Sequence, residues 1–269
     1  MRKIKHVVLF SGGASSSYIA KWVVDKFGTE NTILFFTDTL WEDEDNIRFM
    51  EECANYIGLP ITRVVDGRTP EDVFFEQRFL GNARFAKCSE ELKVRQTLIF
   101  IDELRKNNFE PILYFGIGPH EKHRADRLIT HYEHLPLEPV KCQFPMIDAI
   151  DPEIKAREII KNEWKIKLPR MYELGFSHAN CSGRCVRGGL GHYANLYLIW
   201  PHKYQEQEDM EERFNEEFNL NVSILKRDGA PYTLKTYREE VLEKMTEEEL
   251  KEYAKNTVDE TVPCFCSFS

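Results

Sequence analysis

The sequence predicts an α/β protein: a doubly wound, mostly parallel sheet with a helical, cysteine-bearing C-terminal appendage. Two observations carry that expectation. Four short runs of apolar and β-branched residues, 6–10 (HVVLF), 32–36 (TILFF), 61–65 (ITRVV) and 111–116 (PILYFG), read as strands. The segments between them have helical spacing. Ile47, Met50, Ala54 and Ile57 fall at i, i+3, i+7 and i+10, and a helix over about 90–106 sets Leu92, Leu98 and Ile101 among charged neighbours. Strands alternating with helices imply βαβ units and a parallel sheet covered on both faces.

The chain of 269 residues is long enough for one large core or for one core with a satellite. After about residue 150 the pattern changes to a helix over 152–164 and then to mostly helical, acidic sequence. The division expected is a nucleotide-binding α/β domain over 1–165 and a helical region with a cysteine site over 166–269. Thr246 and Glu249 have the spacing of a capping box and mark the start of the last helix. Between Glu206 and Glu217 seven carboxylates meet one Arg213, which reads as a solvated helix face, with Met210, Phe214 and Phe218 turned to a core.

A net charge of −9 argues against a surface built to grip nucleic acid, although a local basic site stays open. The basic opening MRKIK is followed by a short apolar run, and no run has the ~18 residues of a membrane span, so a cytoplasmic protein without membrane association is expected. Seven cysteines then point to reduced thiols, metal ligation or catalysis before disulfides.

The stretch LFSGGASSSYIAKW, residues 9–22, ends the first strand in two glycines and a string of hydroxyls. Ser11, Gly12, Gly13, Ser15 and Ser16 give a turn without β-carbon obstruction, followed by the first turn of a helix. Backbone N–H groups and the positive end of the helix dipole converge there, which suits a phosphate or pyrophosphate. A tight turn with a serine cap is the plainer alternative. The stretch is neither a Walker A loop nor a G-x-G-x-x-G fingerprint.

It resembles the S-G-G-x-D-S loop of the PP-loop ATP pyrophosphatases, whose fold is of the HUP type. The phosphoadenosine-phosphosulfate reductase-like group is the nearest branch by pattern. FFTDTLWEDEDNIRFM is similar to the family's second-strand segment, KCSEELKVRQ to the reductases' Cys-x-x-x-x-Lys segment, and GIGPHEKHRADRL to the fourth-strand segment. FPMIDAIDPEIKAREIIKNEWKIKLPRMYELGFSHANC is similar to the region before a cysteine pair, so the resemblance spans roughly residues 5 to 192.

Carried over by position, it implies that Ser11, Gly12, Gly13, Ser15 and Ser16 hold nucleotide phosphate. Asp38 and Thr39 would lie near ribose, adenine or metal, and Gly116, Glu121 and Arg124 would close the far side. The family usually has Asp where this chain has Ser15, which weakens Mg²⁺ recruitment there. Arg124, Lys93 and Arg95 are the candidate cations for charge developing at an α-phosphate, with Glu121 beside them in the catalytic set. His120 and His123 flank Glu121 as candidate acid–base groups, or as ordinary solvated histidines.

Cys181 and Cys185 form C-x-x-x-C in NCSGRCVRGG, Cys264 and Cys266 form C-x-C in the tail VPCFCSFS, and Cys88 stands where iron–sulfur members of the reductase branch carry a cysteine pair. Here that pair is Cys88-Ser89. Five thiols for four positions suit [4Fe–4S] or Zn²⁺, and spacing does not choose between them. A tail cysteine attacking substrate, or plain structural thiols, are the other readings. Cys53 and Cys142 read as buried small hydrophobes.

The expected function is adenine-nucleotide chemistry at the α-phosphate with ATP or a related nucleotide: adenylation with pyrophosphate release, or sulfur transfer or reduction. A small-molecule nucleotide and a sulfur or electron donor protein are the expected partners. Strict sulfonucleotide reduction fits less well, since PCFCSFS lacks the E-C-G motif of those enzymes. A non-catalytic nucleotide-binding module with structural zinc, a nucleic-acid thiolation enzyme and an oligomer remain open.

Overall fold

A computed structural model describes residues 2–82, 85–135 and 138–257. Cys264 and Cys266 lie outside the described residues. The centre is a five-stranded sheet in the order β3-β2-β1-β4-β5, with β1 Lys3–Leu9, β2 Thr32–Asp38, β3 Ile61–Val65, β4 Phe109–Tyr114 and β5 Lys141–Gln143. Every pairing is parallel; His6 faces Thr32 of β2 on one side and Ile112 of β4 on the other. The four expected strands are present. β5 was not foreseen: three residues, K-C-Q, are too short for a periodic signal.

Successive side chains of a strand point to opposite faces, and the core divides accordingly. Val8, Phe10, Leu34 and Phe36 pack under α1 Ala14–Phe27, α2 Glu44–Ile57 and, further along the chain, a helix over Ala156–Asn162. Val7, Phe35, Leu113 and Phe115 pack on the other face with Ile101, Leu128 and Tyr132. Those three residues belong to the helices flanking β4.

The α2 helix shows how local sequence sets an element. The Asp43 carboxylate caps it by accepting from the Asp45 N–H at 3.0 Å, and Gly58 ends it at φ 78. Met50, Cys53, Ala54 and Ile57 are buried on its inner side. α3 Pro70–Gln77 starts in a Thr69–Asp72 capping box. The single helix expected over 90–106 is interrupted: α4 Lys87–Ser89 runs through a π-turn at Glu90–Val94 into α5 Arg95–Lys106. π-turns often mark functional positions, and this one carries Lys93.

α6 Lys122–Glu133, α7 Pro145–Asp148 and α8 Ala156–Asn162 complete the sheet layers. A third cluster gathers α9 Arg170–Glu173, α10 Leu190–Ile199, α11 Pro201–Phe218, α12 Leu234–Glu240 and α13 Glu247–Asn256. It also buries Trp41, Phe74, Leu80 and Ala86, while Ile166 packs with the sheet. Between α11 and α12, β6 Leu225–Arg227 and β7 Ala230–Tyr232 form a hairpin turned by Asp228 and Gly229, both at positive φ.

The reading of the acidic run as a solvated face needs correction. Glu208 and Glu211 of α11 are buried. Arg238 of α12 grips Glu208 with Nε at 2.9 Å and Nη2 at 2.8 Å. Glu211 accepts the Ile224 and Leu234 N–H groups at 2.7 and 2.6 Å. Burial pushes the Glu211 carboxyl up to about 7. No helix among the described residues is long and apolar enough to cross a membrane.

Candidate functional site

The strand order reverses at β1: the chain builds outward through β2 and β3, then crosses to β4 and β5. In an open α/β sheet the crevice at such a switch point, beyond the carboxyl ends of the strands, is where ligands bind. Here the β1–α1 turn and the β4–α6 turn meet there. A cavity of about 230 Å³ opens between them, lined by Ser11, Gly13, Ser15, Ser16, Gly116, Glu121 and Arg124, with Arg157, Tyr172 and His178 on the opposite wall.

Gly13 caps α1 in an extended conformation, and its carbonyl accepts from Ser16 Oγ at 2.8 Å and Ser17 Oγ at 3.2 Å. These bonds tie the hydroxyls back, while the N–H groups of a first helical turn have no intrahelical partner. Ser11 Oγ donates to Ser16 Oγ at 3.4 Å. Gly116 brings the chain leaving β4 so close that a Cβ would lie 2.6 Å from the Ser16 nitrogen. Any side chain there would push the two turns apart.

Arg124 is paired with Glu121 at the cavity wall. Arg157 lies 4.0 Å above the Tyr172 ring, a cation–π stack at the rim. His178 Nδ1 is buried without a hydrogen-bond partner among the described residues. Burial, helped by the charges of His192, Lys93 and Arg124, holds its imidazole down to about 3 and therefore neutral. His120 and His123 are exposed and stand apart from the residues lining the cavity.

Other expected residues lie elsewhere. Asp38 is buried, accepts the Leu40 N–H at 2.7 Å and pairs with Arg63. Lys93 is buried below the turn, in a narrow space shared with Ser11, and its Nζ lies 3.9 Å from Glu42 Oε1. Thr39, Lys93, Cys88, Cys181 and Cys185 line a second, narrow cavity together with Trp41, Arg184 and Arg187. Three of the expected thiols thus share one space, beside the β1–α1 turn and distinct from the cavity at it. Among the described residues no group of three or more His, Cys, Asp or Glu side chains is placed to hold a metal ion.

The backbone around Cys181 is unusual: Cys181, Ser182 and Gly183 have φ of 58°, 51° and 81° in succession. Only glycine takes that conformation freely, so the two other residues are held by their surroundings. Cys181 N–H donates to Glu42 Oε2 at 3.2 Å and Ser182 Oγ to Asp43 Oδ2 at 3.2 Å, tying the loop to the segment after β2. Cys53 and Cys142 are buried as expected, and burial raises both thiols, Cys53 to about 12.

Sequence reasoning missed Arg157, Tyr172, His178 and Asn180. They come from segments 40 or more residues beyond the fourth strand, and only the turn of the chain over the sheet brings them to the cavity. No protein-family model matches the chain, and a search of curated proteins finds no match.

Proposed function

We propose that the chain is an adenine-nucleotide-dependent enzyme of the PP-loop, phosphoadenosine-phosphosulfate reductase-like kind, acting at the α-phosphate. The observation that carries this reading is the meeting of the β1 and β4 turns at the strand-order switch, where Gly116 leaves no room for a Cβ beside Ser16 and one cavity opens between the turns. The nucleotide phosphates would face the first turn of α1. An acceptor entering from the His178 and Asn180 wall would form a bond to the α-phosphorus as the bond to the bridging oxygen breaks and pyrophosphate leaves. Arg124 would balance the charge that develops, and Ser11, Ser15 and Ser16 would orient the phosphates.

Glu121 is the one carboxylate among the described residues lining this cavity, and it is paired with Arg124. Mg²⁺ would therefore ride mainly on the nucleotide phosphates, the usual habit of that ion. A [4Fe–4S] cluster or Zn²⁺ at Cys88, Cys181 and Cys185, completed by Cys264 or Cys266, belongs to the same proposal. The described residues do not by themselves assemble such a site. Metal and sulfide analysis of anaerobically prepared wild type and Cys181→Ser decides it: iron and sulfide lost in the variant support a cluster, and zinc supports a structural site.

The functional reading is tested by calorimetry with ATP and by pyrophosphate release. Tight ATP binding is expected, with Arg124→Ala lowering pyrophosphate release on the order of a hundredfold while ATP still binds. ATP binding without pyrophosphate release under any acceptor tried would leave a nucleotide-binding module. No ATP binding would end the reading.

A further inference from the structure

Asn46 stands in the first turn of α2 with its side chain fully buried. Neither its amide nitrogen nor its amide oxygen has a hydrogen-bond partner among the described residues. Buried polar groups are nearly always paired in native proteins, so an amide left bare calls for a reason. What it faces is the anion turn. A Cβ on Gly12 would lie 2.6 Å from Asn46 Nδ2, 2.7 Å from Oδ1 and 2.9 Å from Cγ, so the amide face rests on the Gly12 backbone. Neither Asn46 nor Gly12 is among the residues lining the cavity, so the amide meets the turn away from the cavity.

Gly12, at φ +78, and Gly13 can rotate their peptides at little cost. In a trans peptide the N–H and C=O point in opposite directions. When an N–H of this turn swings toward an anion in the cavity, the carbonyl bonded to the same nitrogen swings inward, toward Asn46. A carbonyl turned into the interior needs a donor, and the Asn46 amide nitrogen supplies two N–H groups. We infer that Asn46 is a positioning residue of the anion turn, donating to the Ser11 or Gly12 carbonyl when the anion is bound and so holding the turn in its binding form. This deepens the proposed function and rests on its reading of the turn as a phosphate site.

The test uses the full chain, with ATP and inorganic pyrophosphate as probes, and compares wild type with Asn46→Leu and Asn46→Ala by calorimetry and thermal melting. Leucine keeps the branched outline at Cγ, adds no charge and removes the donor. The unliganded Tm of Asn46→Leu is expected to stay near that of wild type, the loss of a partnerless amide offsetting the larger side chain. Affinity for both probes is expected to fall about tenfold, the worth of one hydrogen bond. Amide exchange at Gly12 and Gly13, slowed by pyrophosphate in wild type, should stay fast in the variant.

Affinity within about twofold of wild type overturns the inference, since a twofold change is below one hydrogen bond. So does a lower unliganded Tm with pyrophosphate protection intact, the mark of a packing role alone. If the leucine variant does not fold, the alanine variant is read in the same way. A wild type that binds pyrophosphate but not ATP ends the nucleotide reading and leaves Asn46 to be decided with pyrophosphate. A wild type that binds neither ends both.

Discussion

Gly116 has no room for a side chain, and the obstacle is backbone: Ser16 N at 2.6 Å and Ser15 C at 2.8 Å from the position of a Cβ. Gly116→Ala should cost about 1–3 kcal/mol in urea unfolding and weaken ATP binding, because relief requires moving α1 off the sheet. Two titratable residues act on stability with opposite sign. The folded-state pKa of Glu211, raised from 4.5 to about 7, means that the folded protein holds a proton the unfolded chain has lost. Stability is therefore lost as pH rises from about 4.5 to 7, by an amount on the order of 3 kcal/mol. Melting curves over that range should show a shallower decline for Glu211→Gln. His178, lowered from 6.5 to about 3, acts in reverse: the unfolded chain takes up the proton first, so stability is lost as pH falls through that window. His178→Asn should reduce that acid sensitivity.

At the scale of elements, the capping signals were legible because they are local. Thr246 and Glu249 form the expected capping box at the start of α13, with the Thr246 hydroxyl accepting from Glu249 N and the Glu249 carboxylate accepting from Thr246 N. Thr246→Ala should cost about 1 kcal/mol, measured by denaturant midpoint. The Asp228-Gly229 pair is an equally local signal for the β6–β7 hairpin, set within mostly helical sequence. β5 left no signal of its own; it is held by pairing with β4 at Ile112, Leu113 and Tyr114. The acidic stretch of α11 misled for a related reason: Arg238 and the two N–H groups that receive its buried carboxylates lie 13 to 30 residues further along the chain.

At the scale of the molecule, the cavity joins residues 9–16, 115–128, 157 and 172–180, so a ligand held there ties the sheet to the segment that leads into the C-terminal helices. Saturating ATP at about a hundred times its Kd should raise unfolding stability by about 2.7 kcal/mol, with a single cooperative melt. Two separated transitions, with ATP moving neither, would show that the cavity is not a nucleotide site.

The sequence by itself determined the alternation of strands and helices, the glycine-serine turn that ends β1 and the burial of Cys53 and Cys142, because each depends on periodicity, backbone freedom or side-chain size along a short stretch. The strand order, the approach of Gly116 to Ser16, the bare amide of Asn46 behind Gly12 and the gathering of three thiols in one narrow cavity were decided only in the tertiary structure. Those features join residues up to about a hundred positions apart. Contacts at that separation form only when the sheet is assembled and its two faces are covered, and no local pattern encodes them.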